Sequence, residues 1–417
     1  MTPLSARRRY ALVSFLSWLP TGLLLGPMVL LMSGRGLSLA EVGLVWTVYS
    51  VTTITLELPT GGLADVIGRR MVLAASAAVS VVAMLAMAFS TTMWMFLITG
   101  MLQGAARALS SGPAAAWYVD TLHDLEGPGA DLKPGLARGE SMASVALCGG
   151  VLVGGVVPLV VPPALIFPLA APPLLAAAAA VVLLVVVVLA LPEPTHARRA
   201  LGSVLREVPA TVVSGLRMAA GRGVLRRLML LSAVTGLALS SVELLTPVRL
   251  AQLAGGAKLG ATAYAAVAAL GFAGSAIGSA VAPGLARVAR GSARGSAAGH
   301  VLAVLALGGL AASAGISGWP GLACAAAAYM VLFAGIGASG LLRMEMTHLV
   351  VTAAERTTMT SISSLSLQVG GASSTALLGV LASVWGVGVT WALVAVLVLA
   401  ATPLFVRLRT PVEHDSV

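Results

Sequence analysis

Residues 164–191 read ALIFPLAAPPLLAAAAAVVLLVVVVLAL, a run without a charged side chain that is closed by Pro192-Glu193-Pro194. It exceeds the ~20 apolar residues that carry an α-helix across the hydrocarbon core of a bilayer. It does not alternate apolar and polar side chains, as the ~10-residue strands of a membrane barrel do. Lipid demands that every backbone group be paired internally, and a long run of Ala, Leu and Val meets that demand as a helix.

Stretches of the same kind recur along the whole chain. Spans are expected near 10–32, 41–63, 71–90, 93–120, 141–162, 164–191, 228–250, 259–283, 297–315, 320–347, 357–382 and 388–407. Composition agrees: the 417 residues are 58% hydrophobic and 10% charged, with mean hydropathy +0.99. A soluble domain carries roughly a quarter of its residues as charges. Arg7, Arg8 and Arg9 ahead of the first run mimic a signal peptide, but the run is too long for one and lacks a small-x-small cleavage site. Cys148 and Cys324 lie in apolar stretches and read as small buried residues, not as a disulfide.

A net charge of +10 points to nucleic acid in a soluble protein, but here its placement gives a better reason. With the N-terminus in the cytoplasm and sides alternating, twenty of the 25 basic residues fall on the inner side. Arg35, Arg249 and Lys258 fall outside, and Arg107 and Arg343 fall within spans. This is the positive-inside pattern, and it requires all twelve spans with both termini cytoplasmic. The polar interruption at 192–227 carries Leu201, Val204, Leu205, Val208 and Val212 at helical spacing among arginines, as a basic amphipathic helix on an anionic leaflet does. The expected organisation is a six-helix bundle over 1–191, that linker, and a second six-helix bundle over 228–417. Two such halves with a solute site near the midplane are the usual design of a secondary transporter.

Between the second and third spans stands Gly61-Gly62-Leu63-Ala64-Asp65-Val66-Ile67-Gly68-Arg69-Arg70. It resembles the cytoplasmic signature of the major facilitator superfamily, G-x-L-A-D-R-x-G-R-K, departing at Val66. The resemblance implies an all-α integral membrane fold of twelve helices in two pseudo-symmetric bundles. It further implies that Gly61, Asp65, Gly68, Arg69 and Arg70 latch the halves through an acid at the cytoplasmic end of the fourth helix, the place held here by Asp120. Read directly, Gly61 and Gly68 permit close approach and a tight turn, and Asp65 suits a cap on the third helix. Pro283-Gly284-Leu285-Ala286-Arg287-Val288-Ala289-Arg290 follows the eighth span as a worn copy, with Arg287 in the place of Asp65.

Glu57-Leu58-Pro59-Thr60-Gly61 looks like the second-helix ending of bacterial efflux-type members. Gln103-Gly104 resembles the tail of the family's R-x-x-Q-G motif, associated with proton coupling. The arginine of that motif would fall at Gly100, and Arg107, nearly two turns on, shares roughly its face. In the fifth span, Gly150 and Gly154 form a GxxxG pair, a helix-packing pattern.

Ionisable groups within a span cost at least ~2.5–3.5 kcal/mol, so they mark a partner or a wet cavity. Glu57 and Arg107 are expected to face each other along the path of substrate and proton, or else to form a static interhelical salt bridge. Glu243, with Pro247 one turn later, is a third candidate for that path. Arg343 and Glu345, near the inner end of the tenth span, read as loop-end structure with snorkelling side chains. The five histidines are scattered and show no metal spacing.

Three function classes compete. Export of small amphipathic compounds, drug-like or secondary metabolites, by a proton antiporter of the multidrug-resistance type fits the efflux-like stretch and the acids within spans. Uptake of a sugar or organic acid by proton symport calls for many amides in the spans, and Gln103 and Gln368 are among very few. A membrane enzyme needs a convergent catalytic set, and H-E-x-x-H, G-x-S-x-G and ATP-binding loops do not occur. The expected protein is therefore a multi-pass transporter of the inner cell membrane that is not an enzyme. It needs no cofactor or metal, draws on the proton gradient, and works as a monomer with a small molecule and the lipid bilayer, not nucleic acid, as partners.

Overall fold

The computed structural model describes residues 1–127, 129–192, 217, 220–352, 356–406 and 408. The amphipathic helix expected near 201–212 lies outside them. The described residues are helical throughout, with no strand. Their apolar surface is large: Leu189, Trp319 and Val288 are among many big hydrophobic side chains left exposed, a surface that lipid accepts and water does not.

The chain clusters into two compact units, Met1–Leu37 with Val45–Ala210, and Ser38–Leu44 with Thr211–Val417. The first unit contains α1 (Pro3–Leu24), α2 (Pro27–Gly34), most of α3 (Leu39–Ile67), α4 (Arg69–Phe89), α5 (Met93–Ser110), α6 (Pro113–Glu126), α7 (Lys133–Val160) and α8 (Ala171–Ala190). The second contains α9 (Gly223–Leu253), α10 (Ala257–Val288), α11 (Ser292–Ser313), α12 (Gly318–Val350) and α13 (Arg356–Ala400).

Local sequence sets many of the ends. Thr2 and Ser5 form a reciprocal capping box at α1, and Ser38 and Glu41 do the same at α3. Proline opens α2, α6, α7 and α8 within their first two positions, where its missing N–H removes no helical bond.

Among the described residues nine helices are long and apolar enough to cross a bilayer, and α1 with α2, bent by 41°, makes a tenth. The two remaining expected spans are present in altered form. The run 93–120 is not one helix: it breaks at Ser111-Gly112, where Gly112 takes φ 94 and Pro113 restarts the helix as α6. The runs 357–382 and 388–407 are two helices that meet without a loop at Gly386, whose non-helical φ of 82 breaks Arg356–Ala400 there. Expected boundaries also move: α7 starts at Lys133, α8 at Ala171 and α9 at Gly223.

Inside each unit small residues bring helices together, the packing device available where lipid tails compete equally for apolar surface. In the first unit the GxxxG pair of α7 meets α1: a Cβ on Gly154 would lie 2.2 Å from the Leu23 carbonyl oxygen, and one on Gly22 2.8 Å from that of Ala146. In the second unit α9 and α13 approach as closely, since a Cβ on Gly236 would lie 1.9 Å from the Leu367 carbonyl oxygen. Cys148 is half-buried and Cys324 exposed; both are free thiols, so the expectation that both are buried fails for Cys324.

Candidate functional site

The signature segment is almost wholly helical. α3 continues through Gly61 and Asp65 to Ile67, so Gly68 alone joins it to α4. Gly68 takes φ 100 and ψ 149, a left-handed conformation that favours glycine, and is itself the N-cap of α4 with no side-chain cap. The backbone of Asp65 sits in the last turn of α3. Two arginines then open α4, at a helix end where positive charge is unfavourable. Arg69 is met by Asp120 of α6, Nε to Oδ2 2.6 Å. Arg70 donates to the Val188 carbonyl of α8, and Arg9 of α1 donates to that of Ala190. Trp117 donates to the Pro192 carbonyl at 2.8 Å, so one cluster of side chains secures the carbonyl end of α8.

Below this charged layer lies a buried aromatic one. Tyr10 and Tyr118 stack with centroids 4.9 Å apart, packed with Leu73, Trp117, Leu183 and Val187. Such a ring pair contributes ~0.5–1.5 kcal/mol beyond its area. Arg69 and Asp120 thus stand beside packing contributed by α1, α4, α6 and α8.

Glu57 and Arg107, expected to face each other, take separate partners. Glu57 accepts a 2.8 Å hydrogen bond from the Ser111 hydroxyl, tying α3 to the break between α5 and α6. Arg107 lies in the last turn of α5, not at mid-span, and its guanidinium carbon sits 4.1 Å above the Trp18 ring. That cation–π contact stands where an interhelical salt bridge was the alternative expectation. Gly100, where the family's arginine would fall, faces α3 so tightly that a Cβ would lie 3.2 Å from the Val45 carbonyl oxygen. Gln103 is buried and donates to the Met87 sulfur at 3.4 Å.

In the second unit Arg343 does not snorkel. It is 8% exposed and reaches across to α9, donating to the Leu231 carbonyl at 2.7 Å and the Thr235 hydroxyl at 2.8 Å. Glu345 is exposed and accepts from Ser292 at 2.8 Å. Glu243 is half-buried on α9, near Tyr264 of α10 and Tyr329 of α12, two buried residues whose hydroxyls lie 3.4 Å apart. Among the described residues no three His, Cys, Asp or Glu side chains gather as metal ligands. The two tyrosines and Trp18 were missed in sequence. Isolated aromatics on apolar helices carry no signal until a charge is placed beside them.

The profile of the Major Facilitator Superfamily matches residues 10–349. The chain belongs to that superfamily. Solved structures similar to this major facilitator include the nucleoside transporter NupG, with TM-score 0.78, 12% identity, and 97% of this chain and 98% of that one covered. A bacterial homologue of the human lysosomal transporter Spinster gives TM-score 0.74 at 12% identity, covering 99% and 97%. A bacterial homologue of the iron transporter ferroportin gives 0.71 at 17% identity, covering 98% and 99%. No curated protein sequence matches the chain. At these identities the likeness establishes the fold, that of a multi-pass membrane transporter of this superfamily.

Proposed function

We propose that this transporter exports small amphipathic compounds, drug-like or secondary metabolites, across the cytoplasmic membrane by alternating access in exchange for protons. Both termini face the cytoplasm in this reading. Asp65, Arg69, Arg70 and Asp120, with the glycines Gly61 and Gly68, gate the cytoplasmic side. Glu57, Arg107 and Glu243 serve the substrate and proton.

One observation carries the proposal. The charges held within the helices have aromatic and hydroxyl neighbours: Arg107 has Trp18, and Glu243 has Tyr264 and Tyr329. Such surroundings suit an apolar, partly ionised solute. Recognition of a sugar calls for directional amides, and Gln103 is engaged with a thioether.

Ethidium accumulation in cells tests the direction. Overexpression is expected to lower accumulation and raise tolerance; faster dye entry would instead support uptake by symport. Proteoliposomes with and without a pH gradient test the coupling, and transport indifferent to the gradient would refute it.

A further inference from the structure

Arg343 is fixed by one nitrogen, and its other two have no partner among the described residues. Nη1 donates to the Leu231 carbonyl and to Thr235 Oγ1, and Thr235 closes the triangle by donating to the same carbonyl at 2.8 Å. Nε is enclosed and makes no hydrogen bond. Nη2 makes none either, and unlike Nε it is not enclosed. Gly340, three residues earlier, brings no side chain towards it: a Cβ there would lie 4.0 Å from Nη2. Nε and Nη2 form the edge of a guanidinium that offers two parallel N–H groups to the oxygens of a carboxylate, sulfonate or phosphate. In this side chain that edge is vacant while the third nitrogen is held.

The charge is also set back from the helix end. Arg343 is 8% exposed and stands seven residues before the end of α12 at Val350, about 10 Å at 1.5 Å per residue. Ser339 and Thr347, one turn to either side, are buried too, so α12 turns a polar stripe inward. His300 of α11 lies near the guanidinium, but an imidazole supplies no negative charge, and its Nε2 is engaged at 2.8 Å by the Val398 carbonyl.

No carboxylate answers this cation among the described residues of the second unit. Glu345, two residues on, is exposed and bonded to Ser292. Glu243 lies eight residues beyond Thr235 on α9, about 12 Å along the helix, near Thr246, whose buried Oγ1 has no partner. Glu41 accepts from Ser38 at the start of α3. A cation held within a span without a counter-charge is costly, and such groups mark functional sites.

We propose that the Nε–Nη2 edge of Arg343 binds the oxyanion head, carboxylate or sulfonate, of an amphipathic substrate, with Thr235 positioning the fork. The inference rests on the export reading above and names amphipathic anions as one of its substrate classes. Binding replaces an uncompensated cation with an ion pair and two charge-assisted hydrogen bonds. A neutral or cationic solute gains neither, so the residue selects by the sign of the charge.

Saturable binding of radiolabelled 1-naphthoate to the purified full chain in liposomes, corrected with protein-free liposomes, tests this directly. Naphthalene-1-sulfonate should displace the label, and naphthalene-1-methanol, with the same rings and no charge, should not. Arg343→Gln should raise the half-saturating concentration about tenfold or more, as the loss of two charge-assisted hydrogen bonds requires. Arg343→Lys, which keeps the charge and loses the fork, should fall between, and Thr235→Val should weaken binding with the arginine intact. These two variants carry the test if Arg343→Gln does not fold. Wild-type binding in Arg343→Gln, or in both other variants, overturns the proposal, and so does displacement by the neutral alcohol. Displacement by sodium sulfate at the same concentration as the naphthalenesulfonate also overturns it, since the site then holds a structural counter-ion. Arg343-dependent binding in a protein that exports no ethidium would sink the export reading alone. Ethidium export without Arg343-dependent binding would sink this inference alone.

Discussion

At the junction of α3 and α4 an arginine reaches an aspartate; at the junction of α10 and α11 a serine reaches a glutamate. Both junctions turn on one glycine in the left-handed region, Gly68 at φ 100 and Gly291 at φ 144, each with ψ 149. The first residue after each glycine bonds an acid far along a later helix: Arg69 to Asp120 at 2.6 Å, Ser292 to Glu345 at 2.8 Å. The two junctions share a positive-φ glycine and differ in chemistry. In the second unit the shorter serine stands beside a cavity of about 590 Å³, walled in part by Arg287, Leu341 and Glu345. That copy is also one residue longer. The extra position is Arg290, a non-glycine residue held at φ 57. Among the described residues the charged version occurs in the first unit, which is where we place the gate.

The comparison breaks most clearly in transport. Asp65→Asn and Asp120→Asn should each cut ethidium export about tenfold or more, equivalent to ~1.4 kcal/mol, with insertion intact. Glu345→Gln should stay close to wild type in the same assay. Equal losses at both junctions would make the charge difference irrelevant to gating.

Backbone geometry gives the next effect. Gly68→Ala and Gly291→Ala should each lower thermal stability in detergent by ~1–2 kcal/mol, because both positions require positive φ. A neutral alanine at either would mean that the junction can be remade.

A double-mutant cycle on Arg69 and Asp120, 19% and 29% exposed, should give a coupling of ~0.5–1 kcal/mol that falls with salt. The cycle on Ser292 and Glu345 should give less and be insensitive to salt. Smallest is Arg290→Gly, expected to raise stability by ~0.5–1 kcal/mol through relief of its left-handed backbone. No gain there would indicate that the arginine side chain offsets its strain.

Much of the site was legible, but unevenly. The order of residues in 61–70, the worn copy at 283–290 and the acid at Asp120 could all be read, because motifs and spacing are properties of the chain. Gly68, not a loop, forms the turn because α3 runs uninterrupted to Ile67, past the expected end of the span at 63. The partners of Glu57 and Arg107 were misjudged for a different reason. Helical periodicity places a residue on a face, but which neighbour occupies that face depends on Gly112, where the fourth span breaks and brings Ser111 to Glu57.

Sequence alone determined the environment and the class. Long apolar runs, sparse charge and one signature segment require helices in lipid, since hydrocarbon penalises every unpaired backbone group and so leaves few alternatives. Tertiary packing alone decided which charges have partners. Arg343 turns inward to α9, Arg107 lies on Trp18, and Glu243 is left beside two tyrosines and an orphaned threonine. Those outcomes turn on ångström-scale contacts between residues distant in the chain, and no local pattern encodes them.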